Sequence, residues 1–295
     1  MAQADYQASS PTAVRSLLQR YGLAPKKGLG QHFLWQSQLV ERIADTAELT
    51  EEDVVLEIGP GLGILTAALA RRAGLVIAVE IDESLFPLLE ETLRGYDNVQ
   101  LVKGDARQVD FQRLLEDYAP GYTSCKVMGN LPYYITSPLI IRLLQGEFHK
   151  ELLVFMVQKE VAQRIIAQPG NKDYSSLSVV VQYFAQPELV FRVSPHAFCP
   201  PPEVDSAVIK LVCREHPAVR VIDEETFFKV VHTAFRYRRK TLRNALKEGG
   251  LLRPGMESVF INTGIAPERR GETLELEEFA LLADAMAQLE ERKEE

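Results

Sequence analysis

Four consecutive residues, Asn130-Leu131-Pro132-Tyr133, put an amide, a backbone carbonyl, a proline and an aromatic ring in one short stretch. They follow a short apolar run, Cys125 to Met128, that ends at Gly129. The combination suits an exocyclic amine on a flat base. The Asn130 side-chain oxygen and the Leu131 carbonyl can both accept from an NH2 group, and the Tyr133 ring offers a face for stacking. Pro132 has no N–H and a fixed φ, so it holds carbonyl and ring in a set relation. Taken alone, the same four residues also make an ordinary strand-to-helix turn with a buried tyrosine.

Upstream residues decide between the two. Glu57-Ile58-Gly59-Pro60-Gly61-Leu62-Gly63 ends one apolar run and opens directly into a helical pattern. Glycines in such a turn let a ligand approach the backbone closely, which makes Gly59, Gly61 and Gly63 candidate cofactor contacts. Ile64 stands where a dinucleotide fingerprint needs its third small residue, so NAD and FAD are disfavoured, and no Gly-Lys-Ser/Thr follows to make a phosphate loop. The next apolar run ends in Glu80, where an acid in this kind of fold grips ribose hydroxyls. The third ends in Lys103-Gly104-Asp105, and the fourth in Asn130. A single acid at a strand end is usually a cap or a solvated charge. Polar groups at four successive strand ends instead converge on one crevice. They fit S-adenosyl-L-methionine, with Glu80 on the ribose, Asp105 near the adenine amine and the glycine turn beside the methionine end.

The elements that must position these groups are legible in the apolar pattern. Short runs at Val54–Ile58, Leu75–Val79, Val99–Val102, Lys126–Met128 and Leu152–Val157 alternate with helical candidates at Leu62–Arg71, Glu83–Leu93, Phe111–Tyr118 and Ser137–Leu144. Strands alternating with helices imply βαβ units, right-handed crossovers and a buried parallel sheet. Glu160–Ala167 reads as a further helix, and Ser176–Ala185, rich in Val, as a helix rather than a strand. Val190–Val193 and Val208–Val212 read as a closing strand pair around the proline-rich segment 195–202. Ahead of all this, Ser10-Pro11 marks a helix start and Gly22 its end, and Ser37 caps a second helix through Ala47. From Asp223 the pattern is helical, with turns at Gly249-Gly250, Pro254-Gly255 and Pro267. Three regions follow: an N-terminal extension over 1–22, an α/β domain over 23–216 and a small α-helical domain over 217–295.

Hydrophobic content of 46% and charged content of 25% belong to an ordinary globular protein. The N-terminus has neither the basic start nor the apolar core of a signal peptide, and no apolar run reaches the ~20 residues of a membrane span. Cys125, Cys199 and Cys213 are odd in number and lack paired spacing, so neither a disulfide framework nor a zinc site is supported. The chain reads as cytoplasmic and metal-free. Its net charge of −8 argues against a nucleic-acid partner until it is located. Residues 272–295 carry nine acids and two bases, whereas residues 235–247 carry six bases (Arg236, Arg238, Arg239, Lys240, Arg243 and Lys247) and no acid. Helical spacing places Arg236, Arg239, Lys240, Arg243 and Lys247 on one face, with Phe235, Leu242 and Leu246 towards a core.

With Gly28-Leu29-Gly30-Gln31-His32-Phe33-Leu34, the stretch 57–63, Glu80, Gly104-Asp105-Ala106, Asn130–Tyr133 and residues 198–206 in order, the chain resembles the bacterial small-subunit ribosomal RNA adenine dimethyltransferases, the kasugamycin-resistance family. The resemblance runs from about Leu23 to Leu282. It implies a Rossmann-like class I methyltransferase domain with a mainly parallel sheet, and transfer of methyl groups from S-adenosyl-L-methionine to N6 of two adjacent adenosines in the 3′-terminal hairpin loop of 16S rRNA. The expected partner is that rRNA within the immature small subunit, met by a monomer. Carried over, His32, Leu34, Gly59, Glu80, Asp105 and Asn130 would contact the cofactor. Asn130, Leu131, Tyr133 and Phe198 would hold the target base, and Arg236, Arg239, Lys240 and Arg243 would bind RNA. His32 departs from the family, which more often has Asn there. Two other readings compete: a 23S rRNA or DNA adenine-N6 methyltransferase, and an assembly checkpoint for which methylation is secondary.

Overall fold

The computed structural model describes residues 10–252 and 257–294, with side chains through residue 289. The first nine residues of the N-terminal extension and the turn at Pro254-Gly255 lie outside the described residues. Two compact units result. One comprises residues 1–162 and 187–213, the other 163–186 and 214–295.

In the first unit, α1 (Pro11–Arg20) precedes β1 (Phe33–Leu34) and α2 (Ser37–Asp45). The alternating part follows as β2 (Val54–Ile58), α3 (Ile64–Ala70), β3 (Leu75–Glu80), α4 (Phe86–Thr92), β4 (Val99–Lys103), α5 (Phe111–Tyr118), β5 (Cys125–Asn130), α6 (Thr136–Gln145) and β6 (Lys150–Gln158). After α7 (Lys159–Ile166) and α8 (Ser176–Phe184) come β7 (Ala185–Val193), β8 (Phe198–Cys199) and β9 (Ser206–Cys213). Seven strands form one sheet in the order β4-β3-β2-β5-β6-β9-β7. The first five run parallel, and β9 lies antiparallel to β6. The expected closing strands β7 and β9 are indeed neighbours.

This order places successive crossovers on opposite sides of β2, so the switch point lies between β2 and β5, where open α/β sheets bind ligands. The register makes the convergence concrete. Ile58 lies beside Val79 on one flank and Gly129 on the other, and Val79 lies beside Val102. The strands therefore end flush, and Gly59, Glu80, Lys103 and Asn130 each stand one residue past the same line. Only glycine fits at 129, because a Cβ there would sit 2.5 Å from the Ile58 carbonyl oxygen.

The N-terminal helix starts as its residues dictate: the Ser10 hydroxyl accepts from the Ala13 N–H at 3.1 Å, with Pro11 as first helical residue. Val14, Leu17 and Leu18 bury themselves among Phe33, Leu62, Leu85, Leu88 and Leu89. Residues 10–21 are thus part of the first unit's core. The expectation that Ser37 caps α2 is not met; Gln36 is the cap residue, without a side-chain cap bond, and Ser37 is already helical.

The second unit takes residues 163–186 as well as those after 213, so a boundary at 216/217 leaves α8 on the wrong side. The cause is Tyr183. It is fully buried and stacks on Phe227 at 4.9 Å within a core that also holds Val230, Leu246, Phe279 and Met286. The helices α9 (Glu224–Arg236), α10 (Leu242–Glu248), α11 (Ser258–Thr263) and α12 (Leu276–Glu294) complete this unit. Asp223 starts α9 by accepting from the Glu225 and Thr226 N–H groups at 3.2 and 2.9 Å.

Candidate active site at the ends of the parallel strands

A cavity opens at the switch point, lined by the residues that follow β2, β3, β4 and β5 and by the segment 29–34. No Lys or Arg lines it, while Glu57, Glu80 and Asp105 do. That donor set suits hydroxyls, amines and a cation, and it is poor for a phosphate. Of the residues singled out in the sequence, His32, Leu34, Gly59, Gly61, Glu80, Asp105, Asn130, Leu131 and Tyr133 all line this one cavity.

Glu80 ends β3 almost fully buried, at 4% exposure. Its two oxygens accept from the Asp82 N–H at 2.8 Å and the Gly61 N–H at 3.3 Å, tying the acid to the glycine turn. Burial raises its pKa, and those two backbone donors hold the rise in check. Glu57, one strand over, is more extreme: burial pushes it up to about 8, the nearby Thr66 hydroxyl opposes the shift, and the Glu80 charge adds to it. Glu57 Oε2 and Thr66 Oγ1 are both buried without a hydrogen-bond partner. A buried carboxyl with an orphaned oxygen on the wall of a cavity fits the cationic methionine end of S-adenosylmethionine, whose charge would offset the desolvation. Sequence reasoning passed over Glu57, although its place before the glycine turn was the available signal.

Asp105 is held differently. Its carboxylate takes a fork from Arg107, with Nη2 at 2.6 Å and Nε at 3.0 Å, and this keeps its pKa below the ordinary value. Arg142 of α6 secures the same turn by donating to the Ala106 and Val109 carbonyls at 2.8 and 2.7 Å. Neither arginine was flagged in the sequence, because each is defined by a partner across the fold. A third fixture is Asp82, whose carboxylate receives Lys26 Nζ at 2.5 Å and Gln31 Nε2 at 2.7 Å. It latches the strap 26–31 against the end of β3, and Leu29, Gly30 and Gln31 from that strap line the cavity.

The side of the cavity formed by residues 130–133 is equally constrained. Asn130 Nδ2 donates to the His32 carbonyl at 3.0 Å, so the amide oxygen is the end left to accept. His32 is itself fixed, its Nδ1 2.8 Å from the Pro200 carbonyl, which requires Nδ1 to carry the proton. The Leu131 N–H donates to the Met156 carbonyl at 3.1 Å and sets the plane of that peptide. The Tyr133 hydroxyl pairs with Ser206 Oγ at 2.8 Å, and its ring lies against His32 at 5.8 Å and 24°. Burial raises the Tyr133 pKa, with the Ser206 hydroxyl opposing.

Two expected contacts are not brought to the cavity. Gly63 has a φ of +79° and opens α3, and a Cβ there would press on Leu89, Thr92 and Leu93, so its work is helix packing. Phe198 is 2% exposed and packs among Leu34, Met128 and Met156, because pairing of β8 with Leu34 in β1 turns its ring inward. The basic stretch also differs from a single helical face. α9 ends at Arg236, Tyr237 caps it, and a turn intervenes before α10. Arg238 pairs with Glu272, Lys240 with Glu248 and Arg243 with Glu257, whereas exposed Arg239 and Lys247 have no ion-pair partner among the described residues.

No metal-holding cluster of His, Cys, Asp or Glu occurs among the described residues, and no helix there is long and apolar enough to cross a membrane. Residues 23–288 match the family model described as ribosomal RNA adenine dimethylase. The ribosomal RNA small subunit methyltransferase A of Pelotomaculum thermopropionicum is 50% identical over 285 residues, covering 94% of this chain and 96% of that one. Its namesake from Moorella thermoacetica is 51% identical, over 93% of this chain and 97% of that one. Among solved structures, a dimethyladenosine transferase from Plasmodium falciparum is similar with a TM-score of 0.73 at 28% identity, over 89% of this chain and 98% of that one. The 23S rRNA methyltransferase ErmE gives 0.65 at 28% identity, over 87% and 100%.

Proposed function

The chain belongs to the ribosomal RNA adenine dimethylase family, and from that premise we propose that it dimethylates N6 of two adjacent adenosines in the 3′-terminal hairpin loop of 16S rRNA, within the immature small subunit. Membership makes it an S-adenosylmethionine-dependent rRNA adenine dimethyltransferase with a Rossmann-like domain. The small-subunit target rests on relatives at 50% and 51% identity that carry that name, against 28% for the 23S enzyme. Action as a monomer in the cytoplasm goes with this reading.

The observation that carries the chemistry is the orientation of Asn130. Adenine N6 is a poor nucleophile because its lone pair is delocalised into the ring. S-adenosylmethionine, when bound, supplies a sulfonium methyl that is already electrophilic. In the first transfer Asn130 Oδ1 and the Leu131 carbonyl accept from the two N6 hydrogens, aim the nitrogen and draw it towards a tetrahedral shape; one hydrogen then leaves as a proton, and in the second transfer the remaining one is held by one of the same two oxygens. Because the Asn130 amide nitrogen is engaged by His32, the side chain cannot present a donor to the amine instead. Tyr133 stacks on a base splayed out of its RNA. Phe198 would join that stack only by leaving the core, so Tyr133 is the principal aromatic contact. Glu80 holds the ribose, and Glu57 faces the cationic end. Mass mapping of modified adenines in small-subunit rRNA, with and without this protein, tests the reading. Dimethyladenosine at two neighbouring positions is expected; a modification confined to large-subunit rRNA would overturn it.

A further inference from the structure

Beside Tyr133, which is half-buried and held by its hydroxyl bond to Ser206, stands a second tyrosine with a different environment. Tyr134 is 51% exposed, yet it lines the same cavity. Its hydroxyl has no hydrogen-bond partner and its ring no aromatic or cationic partner among the described residues. Its ring lies over a gap in the strap: a Cβ at Gly30 would come within 3.5 Å of it and within 3.6 Å of Pro132. A large aromatic held at the rim of a cavity, and not used by the core, presents a face to whatever enters.

The neighbouring charge has the right sign for RNA. Arg107 is exposed on the turn after β4, pinned through Nε and Nη2 by Asp105, which lines the same cavity as Tyr134. The cavity lining has no cation of its own. Aromatic faces flanked by a guanidinium are how proteins grip single-stranded RNA, the ring taking a base and the cation a phosphate.

We infer that Tyr134 and Arg107 form a subsite for the nucleotide beside the target adenosine, with the Tyr134 ring stacked on its base and the Arg107 guanidinium on the intervening phosphate. This rests on the rRNA adenine reading and names what the site does with the neighbour of the base it modifies. A splayed adenine drags its neighbour to the cavity mouth, and the exposed Tyr134 ring at that rim is placed to meet it. When the two adenosines exchange roles, the same ring receives the one just vacated.

The test uses the full chain and small subunits reconstituted with rRNA carrying an abasic nucleotide beside the target adenosine. Wild type should lose about tenfold in kcat/KM on the abasic particle, the scale of one stacked base. Tyr134→Ala should lose about tenfold on intact particles and almost nothing more on abasic ones, while Tyr134→Phe should behave as wild type. Arg107→Gln should lower the salt slope of particle binding, by less than one because Asp105 already offsets part of its charge. Titration with S-adenosylhomocysteine should give unchanged affinity for Tyr134→Ala. Multiplying losses for Tyr134→Ala and the abasic particle, or a matching loss of cofactor affinity, would overturn the subsite while wild-type dimethylation of intact particles left the parent reading standing. Absence of that wild-type dimethylation would overturn both.

Discussion

The cavity at the strand ends and the basic stretch of the second unit hold their polar groups in different ways. In the cavity, the polar groups are fixed by bonds to nearby backbone: Glu80 by Gly61 and Asp82, Asn130 by His32, Leu131 by Met156. In the basic stretch, three of the six cations are paired with acids brought from elsewhere in the unit or from the next helix. Position at the end of a parallel strand is a strong constraint that sequence spacing already encodes. Net local charge is not, because acids distant in the chain can fold onto it.

Substitutions can break or sharpen that contrast. The largest effect is expected at Asn130→Ala, which removes the acceptor proposed to orient the amine. Methyl transfer measured with radiolabelled cofactor should fall by roughly 100-fold or more, the scale for one positioned polar group in a transition state. Particle binding should change far less, since most of that interface is phosphate and shape.

Next in size is the latch. Asp82→Asn removes the charge that holds Lys26 and weakens the tie to Gln31, so the strap 26–31 should open more often. Cofactor dissociation, followed by stopped-flow fluorescence, should accelerate about tenfold, the effect of about 1.4 kcal/mol lost from one charge-assisted contact. An unchanged rate would mean the strap is held by its packing alone.

Glu57 makes a pH prediction of opposite sign to the usual carboxylate. Its folded pKa, about 8, lies above the ordinary value of 4.5, so the folded chain binds the extra proton between those limits. Stability of the ligand-free protein is therefore highest at the acid end of that window for this group and falls as pH rises towards 8. Glu57→Gln should flatten the fall by on the order of 2 kcal/mol in urea titrations run from pH 5 to 8. Cofactor binding at pH 7 should release a proton in wild type and not in the variant, as read by calorimetry in buffers of different ionisation enthalpy.

The smallest effect belongs to the surface. Arg239→Glu with Lys247→Glu should lower the salt slope of particle binding, because these two cations have no ion-pair partner among the described residues. Lys240→Glu should do less, since Glu248 already accompanies it. Equal slopes for both variants would erase the distinction between paired and unpaired bases.

Much of the fold was legible because buried parallel strands are continuous apolar runs. Val54–Ile58 and Phe111–Tyr118 appear with the expected bounds, and the Val-rich segment 176–184 is a helix as read. What escaped depends on partners far along the chain. The two-residue pair β1–β8 has no periodicity to read, yet it decides that Phe198 points inward. Nothing local distinguishes a glycine that lines the cavity, such as Gly59, from one that admits α4, such as Gly63. Arg107, Arg142 and Asp82 look like ordinary surface charges until the turn, helix and strap they hold are in place. The assignment of α8 to the helical unit turns on contacts across the chain, the rings of Tyr183 and Phe184 against Phe227 and Phe228.

In the proposed mechanism Glu80 grips the cofactor and Asn130 the base, on two sides of one cavity. The most direct test assays Glu80→Ala and Asn130→Ala together, with dimethyladenosine in small-subunit rRNA read by mass spectrometry as cofactor is raised to saturation. Loss of the Glu80 hydrogen bonds should cost about 1.5–3 kcal/mol of cofactor binding, which saturation overcomes. Rescue of Glu80→Ala with persistent failure of Asn130→Ala is the predicted result. Near-normal dimethyladenosine from Asn130→Ala at saturating cofactor would contradict it.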